Sequence, residues 1–319
     1  MDYGFSIPPR GSLANRESVL ALAKQGEALG FAYLAFPDHI VIPREINSPY
    51  PYNVEQKLVG AAEGDCLEQL TLMAYIAGVT TKIRLLTSVM VVPHRPPVLT
   101  AKILATLDVL SQGRVTVGCG AGWLKEEFDA IGAPPFAERG KVTDEYLQMF
   151  KTMWTQDDPR FDGKHGHLEN MIFLPKPVQK PHPPLWIGGE SPAALRRVAA
   201  LGDAWYPIGS NPQFPLNTPQ RYADAIARLR EEAGKVKRDP ATIELNYWAS
   251  WYQEGQTVTL DDGKRQAFTG SDADVVQDIV AYRDLGVQHL LFNFIRPTLK
   301  ESLAAMERFA TKVLPLVKQ

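Results

Sequence analysis

An acidic residue and a histidine stand side by side at Asp38-His39, directly after an apolar stretch that predicts a strand. Histidine titrates near neutral pH, so it can hold or donate a proton. A neighbouring carboxylate can fix its tautomer or hydrogen-bond the edge of a cofactor. The alternative is an aspartate that caps a loop, next to an incidental histidine. Asp38 and His39 are therefore the candidate catalytic residues, and both are also candidates for binding a cofactor.

Two glycine-rich turns follow predicted strands. The first is Gly118-Cys119-Gly120-Ala121-Gly122, and the second, Gly188-Gly189-Glu190-Ser191, precedes a helix predicted from Pro192. Glycine lets backbone N–H groups approach an anion, and a helix N-terminus adds positive potential. The alternative is a pair of plain turns in which Ser191 only caps the helix. Two such turns in one chain favour a phosphate-bearing cofactor, with these candidate ligands: Gly118, Gly120, Gly122, Gly188, Gly189 and Ser191.

Small polar residues also interrupt an apolar strand at Thr87-Ser88-Val89. They could form a bulge that presents backbone atoms to a flat cofactor, or their hydroxyls could be satisfied inside the core. Three tryptophans near predicted strand ends are candidates for the substrate pocket, although buried tryptophan is also ordinary packing. They are Trp123, Trp205 and Trp248.

Strand-like and helix-like segments alternate along the whole chain. About eight apolar strands are each followed by a helical pattern. This number and order of strands and helices is typical of a (β/α)8 barrel, an α/β fold whose active site lies at the carboxyl ends of the strands. A doubly wound open sheet should instead show a glycine fingerprint after the first strand, and Ile7-Pro8-Pro9-Arg10-Gly11 lacks one. The predicted strands are 3–7, 31–36, 83–92, 114–118, 185–187, 204–206, 243–251 and 289–293.

A single barrel domain is predicted for residues 1–319. Three segments, 41–65, 157–184 and 251–270, exceed the minimal repeat, and loops of this length in a compact domain usually serve as lids or binding loops. The last of them is expected to contain a hairpin around Asp261-Asp262-Gly263. These loops set the substrate, and their shapes do not follow from composition.

Composition restricts the classes of partner. The 319 residues are 45% hydrophobic and 22% charged, with a formal net charge of -2, so electrostatics gives no reason to expect nucleic acid or an anionic membrane. No apolar run is long enough to span a bilayer, and the N-terminus lacks the layout of a signal peptide. Two cysteines are too few for a disulfide scaffold, so a cytoplasmic location is expected. His165 and His167 are spaced like a metal pair but lack a nearby third ligand, so no metal site is predicted.

Several motifs occur in an order that resembles the bacterial luciferase-like family of flavin- and deazaflavin-dependent oxidoreductases. They cover nearly the whole chain, and the block 105–123 is highly specific. The motifs are Asp38-His39, Leu86-Thr87-Ser88-Val89, 105–114, 118–123, Glu138-Arg139-Gly140 and 183–189. The resemblance is closest to a subgroup of coenzyme F-420-dependent oxidoreductases, which also shows the loop Tyr50-Pro51-Tyr52.

The resemblance implies a (β/α)8 barrel, a homodimer or higher homo-oligomer, and a flavin-type ring at the carboxyl ends of the strands. It also implies a cis peptide between Ser88 and Val89 behind that ring. Deazaflavin members carry an Asp-His pair after the second strand, as this chain does. Many FMN members carry a tyrosine after the helix-4 arginine, where this chain has Gly140 after Arg139. Both features favour F-420, whereas Pro37 departs from the serine or threonine that relatives have.

Three functions are compatible with these motifs. The favoured one is F-420-dependent hydride transfer to or from a small organic substrate, since a deazaflavin transfers only hydride. The alternatives are an FMN-dependent monooxygenase, in which reduced flavin reacts with oxygen, and a non-catalytic cofactor-binding barrel. Arg139 is expected either to contact the cofactor phosphate or to pair with Glu138 or Glu145, and we favour the ion pair.

Overall fold

Eight parallel strands close into a barrel in the computed structural model, which describes residues 1–8, 10–58, 65–252 and 254–317. Positions 59–64 of the predicted loop 41–65 and position 253 of the loop 251–270 lie outside the described residues. The strands are Asp2–Ser6 (β1), Tyr33–Phe36 (β2), Arg84–Thr87 (β3), Val115–Gly120 (β4), Leu185–Gly188 (β5), Ala204–Tyr206 (β6), Glu244–Ala249 (β7) and Val287–Phe292 (β8). Each strand pairs with the next and β8 pairs with β1, so the predicted (β/α)8 barrel is confirmed.

Helices connect the strands and cover the outside of the barrel. Several begin at a polar residue that satisfies the first free N–H groups; Ser271 and Thr298, for example, each form a capping box. The helices are Arg16–Ala28 (α1), Gln69–Ala77 (α2), Pro97–Leu110 (α3), Lys125–Ala130 (α4), Arg139–Thr155 (α5), Pro192–Leu201 (α6), Pro219–Lys235 (α7), Asp272–Asp284 (α8), Leu299–Arg308 (α9) and Leu314–Val317 (α10), with a π-helical turn at Phe309–Val313.

Side chains alternate between the two faces of each strand, because successive Cβ atoms point to opposite sides. In β6, Ala204 and Tyr206 point into the barrel, whereas Trp205 points outward to the helices. The larger apolar cluster lies between the strands and the helices, so both faces of the strands are apolar, as predicted. The buried cluster inside the barrel consists of Tyr33, Ala35, Leu86, Trp186, Ala204, Tyr206 and Leu291.

The strand predicted at 114–118 continues to Gly120, so Gly118 and Gly120 belong to β4 rather than to the turn after it. Both positions need glycine because atoms of Thr87 and Val89, at the end of β3 and in the segment that follows it, approach them closely. An ideal Cβ atom at Gly118 would lie 2.0 Å from the carbonyl oxygen of Thr87, and one at Gly120 would lie 2.6 Å from Cγ2 of Val89. These glycines therefore let β4 pack tightly against the segment that follows β3.

The strand predicted at 83–92 is divided in two. β3 ends at Thr87, and Met90–Val91 forms a separate short strand that pairs with β4. Between them, the peptide bond that joins Ser88 to Val89 is cis, as the resemblance implied. This segment lies at the carboxyl end of β3.

Two of the long loops contain local antiparallel structure. In loop 157–184, Phe161–Asp162 pairs with His167–Leu168. In loop 251–270, the backbone N–H of Leu260 donates to the carbonyl of Lys264 over 2.8 Å, which closes the hairpin predicted around positions 261–263.

Candidate active site

The carboxyl ends of the strands meet at one end of the barrel, which we call the barrel mouth. Val89 lies there between two glycines that present no side chain. An ideal Cβ atom at Gly188 would lie 3.0 Å from Cγ1 of Val89, and one at Gly120 would lie 2.6 Å from Cγ2. Val89 itself is half-buried and packs against the cluster inside the barrel. The backbone of Gly120 and Gly188 and the side chain of Val89 together form a shallow surface, which we call the glycine cradle. Its shape suits a flat ring.

Hydroxyl and indole groups surround this cradle. The Ser88 Oγ and Tyr206 Oη atoms are 3.0 Å apart and share a hydrogen bond. Burial raises the pKa of Tyr206 above its usual value, so its phenol stays protonated. Trp248 packs against the same inner cluster, and its buried Nε1–H has no hydrogen-bond partner within the described part of the chain. Thr87 faces elsewhere, because its hydroxyl donates to the carbonyl of Gly118 over 2.8 Å.

His39 reaches the mouth from the end of β2, and its ring nitrogens have different surroundings. The Nδ1 atom lies 2.8 Å from Oε2 of Glu127, a side chain that is only 1% exposed. The structure gives Nε2 no hydrogen bond among the described residues, and the side chain remains 16% exposed. The ring also meets Trp123 edge to face, with 6.4 Å between the ring centroids. His39 is thus fixed at one nitrogen and open at the other.

Asp38 makes different contacts from those expected. Its two carboxylate oxygens each accept a 2.8 Å hydrogen bond from the guanidinium of Arg95, and one of them also accepts from the N–H of Val91. The Asp38 side chain is fully buried in this ion pair. The expectation that Asp38 fixes the tautomer of His39 is therefore wrong, since Glu127 occupies that position.

The second glycine turn leads directly into the N-terminus of α6. Gly189 has a φ of +101°, which favours glycine, and Ser191 caps α6 by accepting a hydrogen bond from the N–H of Ala194 over 3.2 Å. The alternative role for Ser191 is thus observed. Pro192 has no N–H, and the N–H of Leu195 donates to the carbonyl of Ser191 over 3.0 Å, so the N–H of Ala193 is the group of this first turn that is left for an anion.

Arg139 does not form the ion pair that we favoured. Its Nε and Nη1 atoms donate to the carbonyls of Gly122 and Phe136 over 3.1 and 3.0 Å. Glu138 instead pairs with Lys164, and the carboxylate of Glu145 accepts from a backbone N–H. Burial, together with the positive charge of Arg197, lowers the pKa of Arg139. A half-buried cation in these surroundings would be stabilised by a bound anion.

The three predicted pocket tryptophans separate into two groups. Trp123 and Trp248 lie at the mouth, and the ring of Trp123 is 5.1 Å from that of Tyr50, centroid to centroid. The assignment of Trp205 to the pocket is wrong. Its side chain is fully buried on the outer face of β6, where it stacks on Tyr222 and donates to the carbonyl of Gly189.

A buried carboxyl group that the sequence did not single out lies directly after Gly189. Glu190 accepts hydrogen bonds from the N–H of Ile208 over 2.8 Å and from Nδ2 of Asn211 over 3.2 Å. Burial raises the pKa of Glu190 to about 7, because the charged form is deprived of water. The side chain is thus largely neutral at slightly acidic pH.

Replacement of Glu190 by glutamine should remove a pH dependence of stability. The folded pKa lies above the unfolded one, so stability is full below about pH 4.5 and falls as the pH rises towards 7. We expect Glu190→Gln to match the wild type at pH 4 and to exceed it by about 3 kcal/mol at pH 8. Urea unfolding at both pH values measures this. Parallel pH profiles for the two proteins would contradict the assignment.

Two further features of the described residues concern metal ions and membranes. Within residues 1–8, 10–58, 65–252 and 254–317, no group of three histidine, cysteine or acidic side chains is arranged to hold a metal ion. Over the same ranges, no helix is both long and apolar enough to cross a bilayer.

Two sequence comparisons place the chain among known proteins. The sequence model of the family described as luciferase-like monooxygenase matches residues 1–250. An uncharacterized protein of Mycobacterium bovis is 35% identical over 217 residues, which are 68% of this chain and 73% of that protein. The FMNH2-dependent dimethylsulfone monooxygenase of Pseudomonas putida is 28% identical over 294 residues and 79% of each chain.

Solved structures share the fold over nearly its whole length. An F-420-dependent secondary alcohol dehydrogenase, solved with an F-420–acetone adduct, gives a TM-score of 0.76 at 18% identity over 100% of this chain and 99% of that one. The coenzyme F-420-dependent tetrahydromethanopterin reductase of Methanopyrus kandleri gives 0.76 at 16% identity over 99% of both. At these identities the likeness concerns the fold alone. The sequence match over residues 1–250 goes further, and the chain belongs to the luciferase-like monooxygenase family.

Proposed function

We propose that this protein is an oxidoreductase that binds coenzyme F-420 at the barrel mouth and catalyses hydride transfer to or from a small organic substrate. The observation that carries the proposal is His39, held at Nδ1 by Glu127 and without a hydrogen bond at Nε2 among the described residues, at the same end of the barrel as the glycine cradle. The Asp-His pair and Gly140 favour the deazaflavin over FMN by resemblance, and two of the structural neighbours are described as F-420-dependent.

The residues at the mouth fit a flat cofactor that carries phosphate. Val89, flanked by Gly120 and Gly188, offers a surface for the ring. The unpartnered Nε1–H of Trp248 can donate to an oxygen bound there. Arg139 supplies a positive charge with no carboxylate in an ion pair among the described residues, and it lies close enough to Arg197 of α6 for the two charges to interact. We therefore infer that α6 and Arg139 hold the phosphate.

A bound deazaflavin supplies a two-electron carrier that exchanges hydride with carbon. The protein must supply the accompanying proton. When a carbonyl substrate gains hydride at its carbon, its oxygen needs a proton, and Nε2 of His39 is positioned to donate one. In the opposite direction the same nitrogen accepts the proton of a hydroxyl group. Trp123 packs edge to face against both His39 and Tyr50, so the two aromatic rings would shield a substrate bound at His39 from water.

A side chain at Gly188 should abolish cofactor binding without unfolding the protein. Gly188→Ala places a methyl group 3.0 Å from Val89, in the space proposed for the ring. We expect the dissociation constant for F-420 to rise by at least about 100-fold, measured by fluorescence titration. Gly234→Ala is the matched control, because its Cβ would meet nothing within 4 Å. Wild-type affinity in folded Gly188→Ala would place the ring elsewhere.

The runner-up function is an FMN-dependent monooxygenase, which the Pseudomonas putida relative favours by its description. The two functions differ in their response to oxygen, since reduced flavin reacts with it and a deazaflavin carrier does not form a peroxyflavin. Consumption of oxygen by protein supplied with reduced FMN and candidate substrates, without activity with F-420, would favour the runner-up. A protein that binds either cofactor without turnover would be the non-catalytic barrel. Assembly as a homodimer stays a prediction.

A further inference from the structure

Two neighbouring glutamates in the first turn of α4 hold the loop that follows His39. Glu127 does so at the start of this loop. Its Oε1 atom accepts hydrogen bonds from the N–H groups of Ile40, over 2.6 Å, and Val41, over 3.2 Å, while its Oε2 atom holds Nδ1 of His39 over 2.8 Å. A single buried carboxylate thus binds both the side chain of His39 and the backbone that follows it.

Glu126 holds the same loop eight positions further on. Its Oε1 atom accepts from the N–H groups of Asn47 and Ser48 over 2.8 and 3.0 Å, and its Oε2 atom accepts from the Ser48 hydroxyl over 2.6 Å. The loop then continues to Tyr50, which packs on Trp123 at the mouth. The segment 40–48 is therefore fixed at both ends by adjacent side chains of one short helix.

We propose that Glu127 is a positioning residue that sets the tautomer of His39 and also anchors the beginning of the segment 40–48, while Glu126 anchors only its far end. The part that concerns His39 in catalysis rests on the proposed function, whereas the anchoring does not. An ionised carboxylate can only accept, so the proton of a neutral His39 must lie on Nδ1. Nε2 has no hydrogen bond among the described residues and is then left as the nitrogen that can exchange a proton with a bound substrate.

The charge state of Glu127 supports this arrangement. Burial acts to raise the pKa of Glu127, but the hydrogen bond and charge of His39, the charge of His94 and the N–H of Ile40 outweigh it, so the pKa lies below its usual value. Besides His39 and His94, the thiol of Cys66 lies near this carboxylate. The Asp38–Arg95 ion pair is close to His94 and completes the charged groups of this region.

Glu127→Gln separates the two roles because glutamine keeps the shape of the side chain. Its amide oxygen can still accept from Ile40 and Val41, but its amide nitrogen now donates to Nδ1 of His39, and the proton of the neutral ring moves to Nε2. Nitrogen NMR of histidine-labelled protein at pH 8, with His39→Gln to assign the signal, reports this change without any cofactor. We expect the inverted tautomer, unchanged amide exchange at 40 and 41, and a kcat lower by about 100-fold with KM within about threefold.

Glu127→Ala removes both roles, and Glu126→Ala is the matched control. In Glu127→Ala the amides of Ile40 and Val41 should exchange with deuterium at least about tenfold faster than in the wild type. In Glu126→Ala the faster exchange should move to Asn47 and Ser48, with the tautomer of His39 unchanged. KM, rather than kcat, should respond to Glu126→Ala.

The failure of this inference can be distinguished from the failure of the proposed function. A wild-type tautomer of His39 in Glu127→Gln, or wild-type exchange at 40 and 41 in Glu127→Ala, would overturn the role of Glu127. If instead the tautomer and the exchange rates change as expected but His39→Ala retains full activity, the anchoring stands and the catalytic role of His39 is wrong.

Discussion

Replacing His39 with alanine should lower turnover by about two to four orders of magnitude, the usual effect of losing a general acid–base group. The reason is that Nε2 of His39 has no hydrogen bond among the described residues and is the nitrogen that we propose exchanges the proton at the barrel mouth. The measurement is kcat with reduced F-420 and a carbonyl substrate that the wild type accepts, followed by the return of the visible absorbance of the oxidised cofactor. Cofactor affinity should change by less than about tenfold, because Val89 and its flanking glycines remain.

His39→Gln is the second variant, since its amide can still donate to Glu127 and so keeps the buried carboxylate paired. It should lose activity as alanine does, but keep wild-type thermal stability. His167→Ala is the matched control, because that histidine is 62% exposed and lies in the outer hairpin of loop 157–184. Wild-type activity per folded molecule in both His39 variants would show that the proton comes from another group.

Asp38→Ala should destabilise the fold by about 3 to 5 kcal/mol, the usual cost of removing one partner of a buried ion pair. Arg95 is only 10% exposed and would keep just Glu68, whose side chain is 37% exposed. The N–H of Val91 would also lose its acceptor. Urea unfolding at neutral pH measures the change in the free energy of unfolding.

Asp158→Ala provides the comparison. The side chain of Asp158 is 60% exposed and that of its ion-pair partner Arg160 is 70% exposed, so this pair should contribute less than about 1 kcal/mol to the free energy of unfolding. Unchanged stability in Asp38→Ala, combined with a large loss of F-420 affinity, would mean that Asp38 contacts the cofactor rather than Arg95. That outcome would restore the role in cofactor binding that the sequence suggested for Asp38.

The barrel could be predicted from the sequence because the patterns that indicate its strands and helices are local. Apolar runs alternate with helical patterns, and turn residues separate them, so the order of elements follows directly. The predicted end of β4 was two residues too early, since Gly118 and Gly120 look like part of a turn in the sequence. In the structure they belong to the strand, and glycine is needed at both positions because Thr87 and Val89 approach too closely for a side chain.

The partners at the site could not be predicted in the same way. Glu127 lies 88 positions from His39, and its place in an acidic first turn of a helix is typical of a solvated surface residue. Trp205 was assigned to the pocket because it is near a strand end. The alternation of side chains decides its direction, and the neighbours Ala204 and Tyr206 occupy the inner face.

Equilibrium binding of the two cofactors tests the central claim most directly. Purified protein is titrated with oxidised F-420 and, separately, with FMN, and dissociation constants are taken from the quenching of tryptophan fluorescence in the wild type and in Gly188→Ala. We predict that the wild type binds F-420 at least about tenfold more tightly than FMN, a difference of about 1.4 kcal/mol, and that Gly188→Ala loses this binding. Tighter binding of FMN, or equal binding of F-420 by both proteins, would contradict the account.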